Sequence, residues 1–497
     1  MSTSSNDTET VGNEDGEEHT EDIPLTSRIA AQPRPATIWL VGVLLLVAVE
    51  FGALLGLIFE LLQTIAGLLP GDPAAGLLAG AASGAAEIPT LLSRETIPNG
   101  GYFDGGAWVN TFLGLEPMYA WALRVVLVYA YTFVWLAWLW KGYQWFRIHY
   151  RQVDWTPRDD MVGRLRGHRW GQFGLIVVVG FLVFALFAPA LSPVTAQDNI
   201  YNPYGNQFQY YSETTDSVSQ TSAGVANLQS TSKGIPGQNV GPLTYDDFGR
   251  FHPFGTLTTG KDLFTYMAYG ARISLVIGLS TMFGAGGIAL VLAMVTAYYK
   301  GLADLTTVLA SDSVQSLPFL LMAILATVVF QGTWFDTTYG GTPLLIVVFI
   351  FFYWPFLWRA VRGPAFQIAE QEWIDAAKSY GQKPSVIMRK HMIPYVVSYM
   401  LIYASLSLGG VIIAVAALSF LGLGISPPTP EWGRIIAAGQ PYVASPSWHI
   451  SLIPGIMITL VVTGFNAFGD GIRDAIDPQS GGSDDGAAAA AAGGGGG

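Results

Sequence analysis

The chain has 497 residues, of which 51% are apolar and only 12% are charged. Soluble domains typically carry about 25% charged residues, so this composition predicts a polytopic membrane protein. The formal net charge of −12 disfavours nucleic-acid binding, which needs a basic surface, and the absence of cysteine excludes disulfides and cysteine-ligated metals.

The chain begins with an acidic segment. Residues 1–22 contain eight acidic residues and no lysine or arginine, so we expect residues 1–36 to form a disordered cytoplasmic tail. This segment lacks the basic region of a signal peptide, so the first apolar segment is expected to be retained. The low-complexity residues 478–497 are also expected to be disordered.

Apolar segments of about 20 residues predict membrane-spanning helices. Eight segments qualify, although the sixth is short: Thr37–Leu69, Tyr119–Trp140, Gly171–Leu191, Ala271–Tyr299, Asp304–Phe330, Pro343–Leu357, Tyr395–Leu423 and Ile450–Phe468. The shorter stretch Ala74–Ala86 is interpreted as an interfacial or re-entrant piece. The fold class is therefore predicted as an all-α polytopic membrane protein with about eight transmembrane helices.

Lysine and arginine cluster in two connecting segments. Seven lie in residues 141–170 and six in residues 359–394. Because basic loops face the cytoplasm, both segments are predicted to be cytoplasmic. Eight spans then place both termini in the cytoplasm and the polar segment 192–270 outside. Residues 37–140 would form two additional N-terminal helices with an external loop.

One cytoplasmic segment has the pattern of an ordered structure. Residues 371–380 combine helix formers with acidic residues first and Lys378 near the end, as the helix dipole prefers. Gly381 can end this helix in a left-handed conformation. Residues 385–392 can form a second short helix, which Pro394 would stop. Two short helices joined at a glycine predict a compact knob that projects into the cytoplasm.

The knob also carries a specific sequence pattern. Asp375-Ala376-Ala377 is followed after three residues by Gly381, and after nine more by His391-Met392-Ile393-Pro394. This pattern resembles the EAA loop of ABC-importer permeases, in the dipeptide/oligopeptide variant, with Asp375 in place of the usual glutamate. The resemblance implies that the loop docks into a cytosolic ATPase. The residues it assigns to this coupling are Glu372, Asp375, Ala376, Ala377, Gly381, His391, Ile393 and Pro394. The alternative is an ordinary amphipathic loop helix.

Further segments resemble the same family. They are His252–Thr256, Trp354-Pro355, Arg359–Gly363, Phe420–Gly424, Glu431–Gly433 and Phe468–Gly471. The resemblance covers roughly residues 164–478 and omits the first two predicted spans. It implies a basic connector at 141–170 and a six-helix permease core at 171–477, which contains the external loop 192–270 and the EAA loop 359–394.

The resemblance also implies a function and partners. The chain would be a plasma-membrane permease subunit of a binding-protein-dependent ABC importer for peptides or similar small solutes. It would act with a second homologous permease, two cytosolic ATPase subunits, an external substrate-binding protein and membrane lipids. ATP and magnesium would be bound by the ATPases, and this chain would hold no cofactor or metal and be no enzyme.

One segment imitates a phosphate-binding loop. Residues 255–261 have the G-x-x-x-x-G-K spacing, but Asp262 follows where serine or threonine would bind magnesium. A carboxylate there would repel phosphate, and the segment is predicted to be external, away from cytosolic ATP. We therefore expect no nucleotide site here.

Polar residues within predicted spans are candidates for function. Asp312, Ser313 and Ser316 lie near the inner half of the fifth span, where they either line the substrate route or mediate packing. Glu60 could pair with Arg124 between the two additional helices.

Glu50 has no evident partner in the sequence, and it could face another subunit or a proton path. An ion-coupled secondary transporter that uses Glu50 and Asp312 is therefore an alternative function. A membrane scaffold is a second alternative, whereas a membrane enzyme lacks a convincing catalytic constellation. The acidic, cysteine-free composition resembles that of proteins from salt-adapted archaea.

Overall fold

The computed structural model describes residues 24–66, 75–86, 88, 90, 92–152 and 156–476. Disorder is predicted for residues 1–36 and 478–497. Residues 1–23 and 478–497 lie outside these ranges, but the prediction is wrong for residues 25–31 and 33–36, which are helical. Contacts divide the described chain into two units, residues 24–46 with 135–152 and residues 47–134 with 156–476.

Helices dominate both units. In chain order they are α1 (Leu25–Ala31), α2 (Pro33–Val49), α3 (Phe51–Ala66), α4 (Ala75–Ala86), α5 (Pro117–His149), α6 (Pro157–Gly167), α7 (Arg169–Leu186), α8 (Ala188–Leu191), α9 (Ala223–Gln229), α10 (Leu263–Tyr299), α11 (Gly301–Gln315), α12 (Phe319–Val329), α13 (Trp334–Thr337), α14 (Thr342–Ala369), α15 (Glu372–Ser379), α16 (Pro384–Ile387), α17 (Ile393–Phe420), α18 (Trp432–Gly439) and α19 (His449–Ile476).

Six helical stretches in the described ranges are long and apolar enough to cross a membrane: α5, α7, α10, α13 with α14, α16 with α17, and α19. Two further pairs pass the same test but are sharply bent, α1 with α2 by 99° and α11 with α12 by 78°. If each bent pair is one span, the number rises to eight. The prediction of a helical membrane protein with about eight spans is confirmed.

Several helices extend beyond the predicted span limits, most of all α14, where the sixth span was predicted as Pro343–Leu357. Three further spans differ in where the helix breaks or continues. The first is interrupted at Glu50, which separates α2 from α3. The fifth is broken at Pro318, which lacks the backbone N–H that a continuous helix uses. The seventh begins early, because α16 continues through a π-helical turn, Met388–Met392, into α17. Pro394 therefore does not stop the helix, since it lies in the first turn of α17, where its missing N–H is tolerated.

The segment 192–270, predicted as a polar external loop, is a folded module. It contains a six-residue hairpin, in which β3 (Gln207–Ser212) pairs antiparallel with β4 (Ser217–Ser222). Two-residue ladders join β1 (Tyr102–Phe103) to β2 (Trp108–Val109) and β5 (Thr244–Tyr245) to β6 (Phe251–His252). The all-α prediction thus holds for the spans and misses these short strands between them.

A buried polar cluster joins this module to the start of α10. Asp262 caps the helix by accepting a 2.7 Å hydrogen bond from the amide of Thr265. The other carboxylate oxygen lies 2.8 Å from Nδ1 of His252, whose Nε2 lies 3.4 Å from Asp246. Arg250 donates to Asp246 at 2.7 Å. Burial alone would lower the pKa of His252, but its hydrogen bonds with the two carboxylates raise it overall.

The segment with phosphate-loop spacing belongs to the same module. The amide of Thr256 donates to the carbonyl of Val240, and the amide of Gly260 donates to the carbonyl of Leu257. These amides are therefore engaged within the module, and the carboxylate of Asp262 is the cap of α10. The segment forms a turn in which these amides are bonded within the module.

The core of the larger unit lies among its long helices. Helix α10 packs against α14 and α17, while α19 packs against α7 and α17. A side chain at Gly174 would collide with the backbone of Gly464 and Phe468. Glycine at this position therefore lets the backbones of α7 and α19 approach closely, as small residues do in membrane helix pairs.

Two tryptophans, Trp39 and Trp138, connect the helices of the smaller unit. Trp39 Nε1 donates to the carbonyl of Trp138 at 3.3 Å, and Trp138 Nε1 donates to the carbonyl of Trp39 at 3.1 Å. Arg28 donates to the carbonyl of Tyr150 at 2.5 Å, and the Tyr150 hydroxyl donates to Gln32 at 2.6 Å. These bonds connect α1 and α2 to the end of α5.

Candidate coupling helix and translocation route

Helix α15 is anchored by one face and exposed on the other. Ile374 and Ala377, three residues apart, are only 0% and 6% exposed and belong to the hydrophobic core. Glu372, Asp375 and Ala376 are exposed. Of the predicted coupling residues on α15, Ala377 is therefore a buried anchor, whereas the other three face outward.

Gly381 ends α15 in the way the sequence predicts. Its φ is +71°, in the left-handed region. Its amide donates to the carbonyl of Lys378 at 2.9 Å, and the next amide, of Gln382, donates to the carbonyl of Ala377 at 3.1 Å. These two bonds form a Schellman motif, which satisfies carbonyls at the helix end. The glycine thus fixes the direction in which the chain leaves α15.

Gly381→Val should loosen this corner, because a β-branched residue is strained at a positive φ. We expect it to lower the free energy of unfolding by about 1–2 kcal/mol and to raise hydrogen exchange in α15. The matched variant Gly381→Asn, which tolerates the left-handed region, should stay within about 0.5 kcal/mol of the parent. Equal exchange rates in Gly381→Val and the parent would contradict the assignment.

The second half of the knob is continuous with a span. His391 Nε2 lies 3.1 Å from Oε1 of Gln382, so it joins the corner after α15 to the π-helical turn before α17. Ile393 is half-buried and Pro394 is exposed at the start of α17. A displacement of the knob would therefore act directly on this span.

Contacts that no sequence pattern predicted flank the knob. Lys378 forms an ion pair with Asp375 at 2.9 Å and lies 5.7 Å above the ring of Tyr298. Trp373 is 44% exposed, and its ring lies 5.6 Å from that of the exposed Tyr395. The exposed ion pair contributes only about 0–1 kcal/mol, whereas exposed aromatic rings are typical of binding surfaces. In the sequence, the tryptophan at position 373 within a mostly polar helix is the feature that could have indicated this surface.

The predicted route residues lie at a junction of α11 and α14. Asp312 forms an ion pair with Arg359, which also donates to Ser311 at 3.1 Å. One helical turn further on, Arg362 donates to Asp304 at 2.7 Å. Both arginines lie in the predicted cytoplasmic EAA loop 359–394, and no sequence pattern pairs them with α11.

Asp312 and Ser313 on α11, and Ser316 directly after it, are exposed. The hydroxyl of Ser313 donates to Leu309 and that of Ser316 donates to Ser313, each at 2.8 Å. The two serine hydroxyls are therefore bonded to backbone carbonyls of α11.

The other predicted intramembrane charges are engaged by backbone groups. Glu50 is 2% exposed and accepts a 2.9 Å hydrogen bond from the amide of Leu92. Arg124 is fully buried and donates to the carbonyls of Ile97 and Ser192, both at 2.9 Å. The side chain of Glu60 lies outside the described part of the structure, so the predicted Glu60–Arg124 pair stays a prediction.

The Glu431-Trp432-Gly433 motif closes the end of the core beyond α17. Glu431 caps α18 by accepting from the amide of Arg434 at 3.1 Å. Trp432 Nε1 donates to the carbonyl of Met267 in α10 at 2.8 Å. Glu431 is 1% exposed, and burial raises its pKa to about 7, although hydrogen bonds, first from Arg434 and then from Ser419, oppose the shift.

This shift predicts a pH-dependent stability. The unfolded glutamate ionises near 4.5, but the folded one keeps its proton up to about 7. The stability that Glu431 contributes is therefore fully present below pH 4.5 and is lost as the pH rises through 7. The loss should be roughly 3 kcal/mol. Glu431→Gln should flatten this part of the profile in pH-dependent unfolding. The exposed control Glu213→Gln should leave it unchanged, and an unaltered profile in Glu431→Gln would contradict the assignment.

Comparisons with known proteins agree with this architecture. The model of the family described as "Binding-protein-dependent transport system inner membrane component" matches residues 289–481. The model described as "N-terminal TM domain of oligopeptide transport permease C" matches residues 156–209. The first match includes the knob and the α11–α14 junction.

The aligned region covers most of the length of two relatives. The dipeptide transport system permease protein of Alkalihalophilus pseudofirmus is 31% identical over 324 residues, which are 65% of this chain and 90% of the relative. The glutathione transport system permease protein of Escherichia coli is 35% identical over 325 residues, which are 65% of this chain and 91% of the relative. This chain therefore belongs to the family of binding-protein-dependent transport system inner membrane components, and it is a transmembrane permease subunit of an ATP-driven importer.

Proposed function

We propose that this permease imports peptides or similar small solutes and is driven by two separate cytosolic ATPase subunits through α15 and the following corner. The single observation that carries the coupling role is the division of α15 into a buried anchor at Ile374 and Ala377 and an exposed face. An anchored helix transmits force from a docked partner into the core, whereas a loosely attached loop would not.

The proposed assembly contains a second homologous permease and an external substrate-binding protein, within the plasma membrane. ATP and magnesium are bound by the ATPases, and this chain contributes no catalytic residue. The relatives named for dipeptide and glutathione transport support the substrate class. The acidic composition suits the salt-adapted archaeal origin that we infer for the chain.

The proposed orientation places the knob and both termini in the cytoplasm. The basic residues of segments 141–170 and 359–394 support this, because basic loops are retained on the cytoplasmic side. The 192–270 module then faces outward, where the binding protein would dock. Residues 37–140 are proposed to add two helices to the permease core.

The α11–α14 junction is proposed to lie on the substrate route. Asp312, Ser313 and Ser316 are exposed in this single chain, and a second permease would enclose them. The ion pairs with Arg359 and Arg362 link the route to the helix that leads into α15. The ion-coupled alternative is less well supported, because Glu50 and Asp312 each already bind a partner.

Cross-linking can test the coupling proposal directly. The chain contains no cysteine, so Ala376→Cys introduces a unique thiol. In the assembled importer, a short maleimide–amine linker should join Ala376→Cys to an ATPase subunit. Lys233→Cys, an exposed position in the 192–270 module, should give no ATPase product. An intact complex without an ATPase product from Ala376→Cys would refute the docking site.

The same two variants test the orientation. A membrane-impermeant maleimide added to intact cells should label Lys233→Cys, and it should label Ala376→Cys only after permeabilisation. The reverse labelling would overturn the proposed topology while leaving the family membership intact.

A further inference from the structure

His252 lies between two carboxylates where the 192–270 module meets the start of α10. Its side chain is fully buried, with Nδ1 2.8 Å from Oδ2 of Asp262 and Nε2 3.4 Å from Oδ2 of Asp246. The side chains of the two aspartates are also buried. Both ring nitrogens therefore face a carboxylate oxygen in a place shielded from bulk solvent.

Two acceptors at the two ring nitrogens call for two ring protons. A neutral imidazole carries one N–H and one lone pair, whereas an imidazolium donates from both nitrogens. In a neutral ring at this place, the lone pair of one nitrogen would face a carboxylate oxygen. A buried carboxylate would then lose a donor, which costs free energy because the surroundings have a low dielectric constant. The geometry therefore favours a doubly protonated His252.

The other charges around the imidazole do not replace this proton. The charged groups that act on the ring are Asp246 and Asp262. Arg250 pairs with Asp246 at 2.7 Å. Arg94 attracts Asp262 electrostatically, but within the described ranges the imidazole is the one cationic group within 4.0 Å of the Asp262 carboxylate.

The neighbouring basic side chains bond elsewhere. Lys261 Nζ donates to the carbonyl of Ile200 at 3.3 Å. His449 Nε2 lies 3.0 Å from the carbonyl of Thr256. A protonated His252 is therefore the hydrogen-bonded counter-charge of Asp262.

The two carboxylates organise different parts of the fold. Asp262 caps α10 through the amide of Thr265. Asp246 accepts from the amides of Phe248 at 3.1 Å and Arg250 at 2.9 Å, so it orders the turn between β5 and β6. The imidazole thus connects this turn to the first residues of a membrane-spanning helix.

We propose that His252 is a proton-dependent lock, which holds the 192–270 module on the start of α10 as an imidazolium and releases the module when the ring loses a proton. This lock goes beyond the proposed function, since it involves neither the coupling helix nor an ATPase. With the module facing outward, as proposed above, the lock would respond to the external pH.

The direction of the pH effect follows from the pKa of His252. Burial lowers this pKa, but the hydrogen bonds with Asp246 and Asp262 raise it overall above the ordinary 6.5. The stability that the lock contributes is therefore fully present below pH 6.5, and it is lost as the pH rises through the higher folded pKa. Alkaline conditions should release the module.

Solid-state NMR of the full chain in lipid nanodiscs, with isotope-labelled histidine, can test the charge of the ring. The signal of His252 is the one missing from His252→Gln. At pH 7 an ordinary histidine is mostly neutral, since its pKa is about 6.5, whereas we expect His252 to keep protons on both nitrogens. A neutral His252 ring at pH 7 would overturn the proposal, whatever the orientation of the chain or its partners.

Hydrogen exchange can test the release. Amide exchange in residues 246–265, corrected for the intrinsic effect of pH, should rise about tenfold between pH 6 and pH 9. A Glu431→Gln background removes the pH dependence assigned to Glu431. Exchange that does not change over this range would show that the proton does not hold the module.

Variants locate the effect at His252. His252→Gln, which carries no charge, should exchange rapidly at both pH values, and a slow exchange like that of the parent at pH 6 would contradict the lock. His149→Gln replaces an exposed histidine outside the module, so it should behave like the parent.

Asp262→Asn decides the question if His252→Gln does not fold. Asparagine caps helices as well as aspartate does, but it lacks the charge that holds the proton. One histidine signal should then lose its second proton at a pH about one unit lower or more, which also assigns that signal to His252. An unchanged titration of every histidine in Asp262→Asn would show that Asp262 does not hold the proton.

Discussion

Replacing Ala376 by arginine should abolish ATP-driven uptake by the assembled importer. Ala376 is exposed on α15 beside the buried anchor Ala377. A long cationic side chain there would prevent close approach of the ATPase without disturbing the core. We expect uptake in proteoliposomes to fall about 100-fold, which corresponds to loss of roughly 2.7 kcal/mol at the interface.

Ala376→Ser is the matched control, because it keeps a small side chain at the same exposed position. It should retain uptake and co-purify with the ATPases, whereas Ala376→Arg should insert normally into the membrane without them. Uptake by Ala376→Arg similar to that of the parent would show that α15 does not dock an ATPase. Ala377 is a poorer test than its neighbour, because its burial would mix a folding defect with a docking defect.

Replacing Trp432 by alanine should have the largest effect on stability. Trp432 is 1% exposed, donates to the carbonyl of Met267 and packs edge-on against Phe181 with ring centroids 6.0 Å apart. Its removal leaves a large cavity between α18, α10 and α7. We expect the free energy of unfolding to fall by about 3–5 kcal/mol, measured by denaturant unfolding of the purified chain in detergent.

Trp448 provides a control with the same substitution. It is 40% exposed, so Trp448→Ala should cost less than about 1 kcal/mol. Trp432→Phe, which keeps an aromatic ring but loses the indole N–H, should fall between the two alanine variants. Equal losses in Trp432→Ala and Trp448→Ala would show that Trp432 does not join these helices.

The predictions that succeeded depend on local sequence. Hydropathy over about 20 residues located the spans, because each helix must satisfy its own backbone in lipid. The helix end at Gly381 was also predictable from local sequence, because its two backbone hydrogen bonds reach back only three and five residues. The errors in span limits arose at Glu50, Pro318 and Pro394, where hydropathy alone does not show whether a helix breaks or continues.

The sequence by itself therefore determined the class of the protein and its approximate number of spans, and it predicted the residues of the proposed coupling loop. The tertiary structure decided which of those residues are exposed, because burial at Ala377 but not at Ala376 depends on the core that α15 packs against. It also decided the polar partners. The Arg359–Asp312 pair and the Trp432–Met267 hydrogen bond join residues 47 and 165 positions apart, and such contacts follow from how helices pack, which no local pattern encodes.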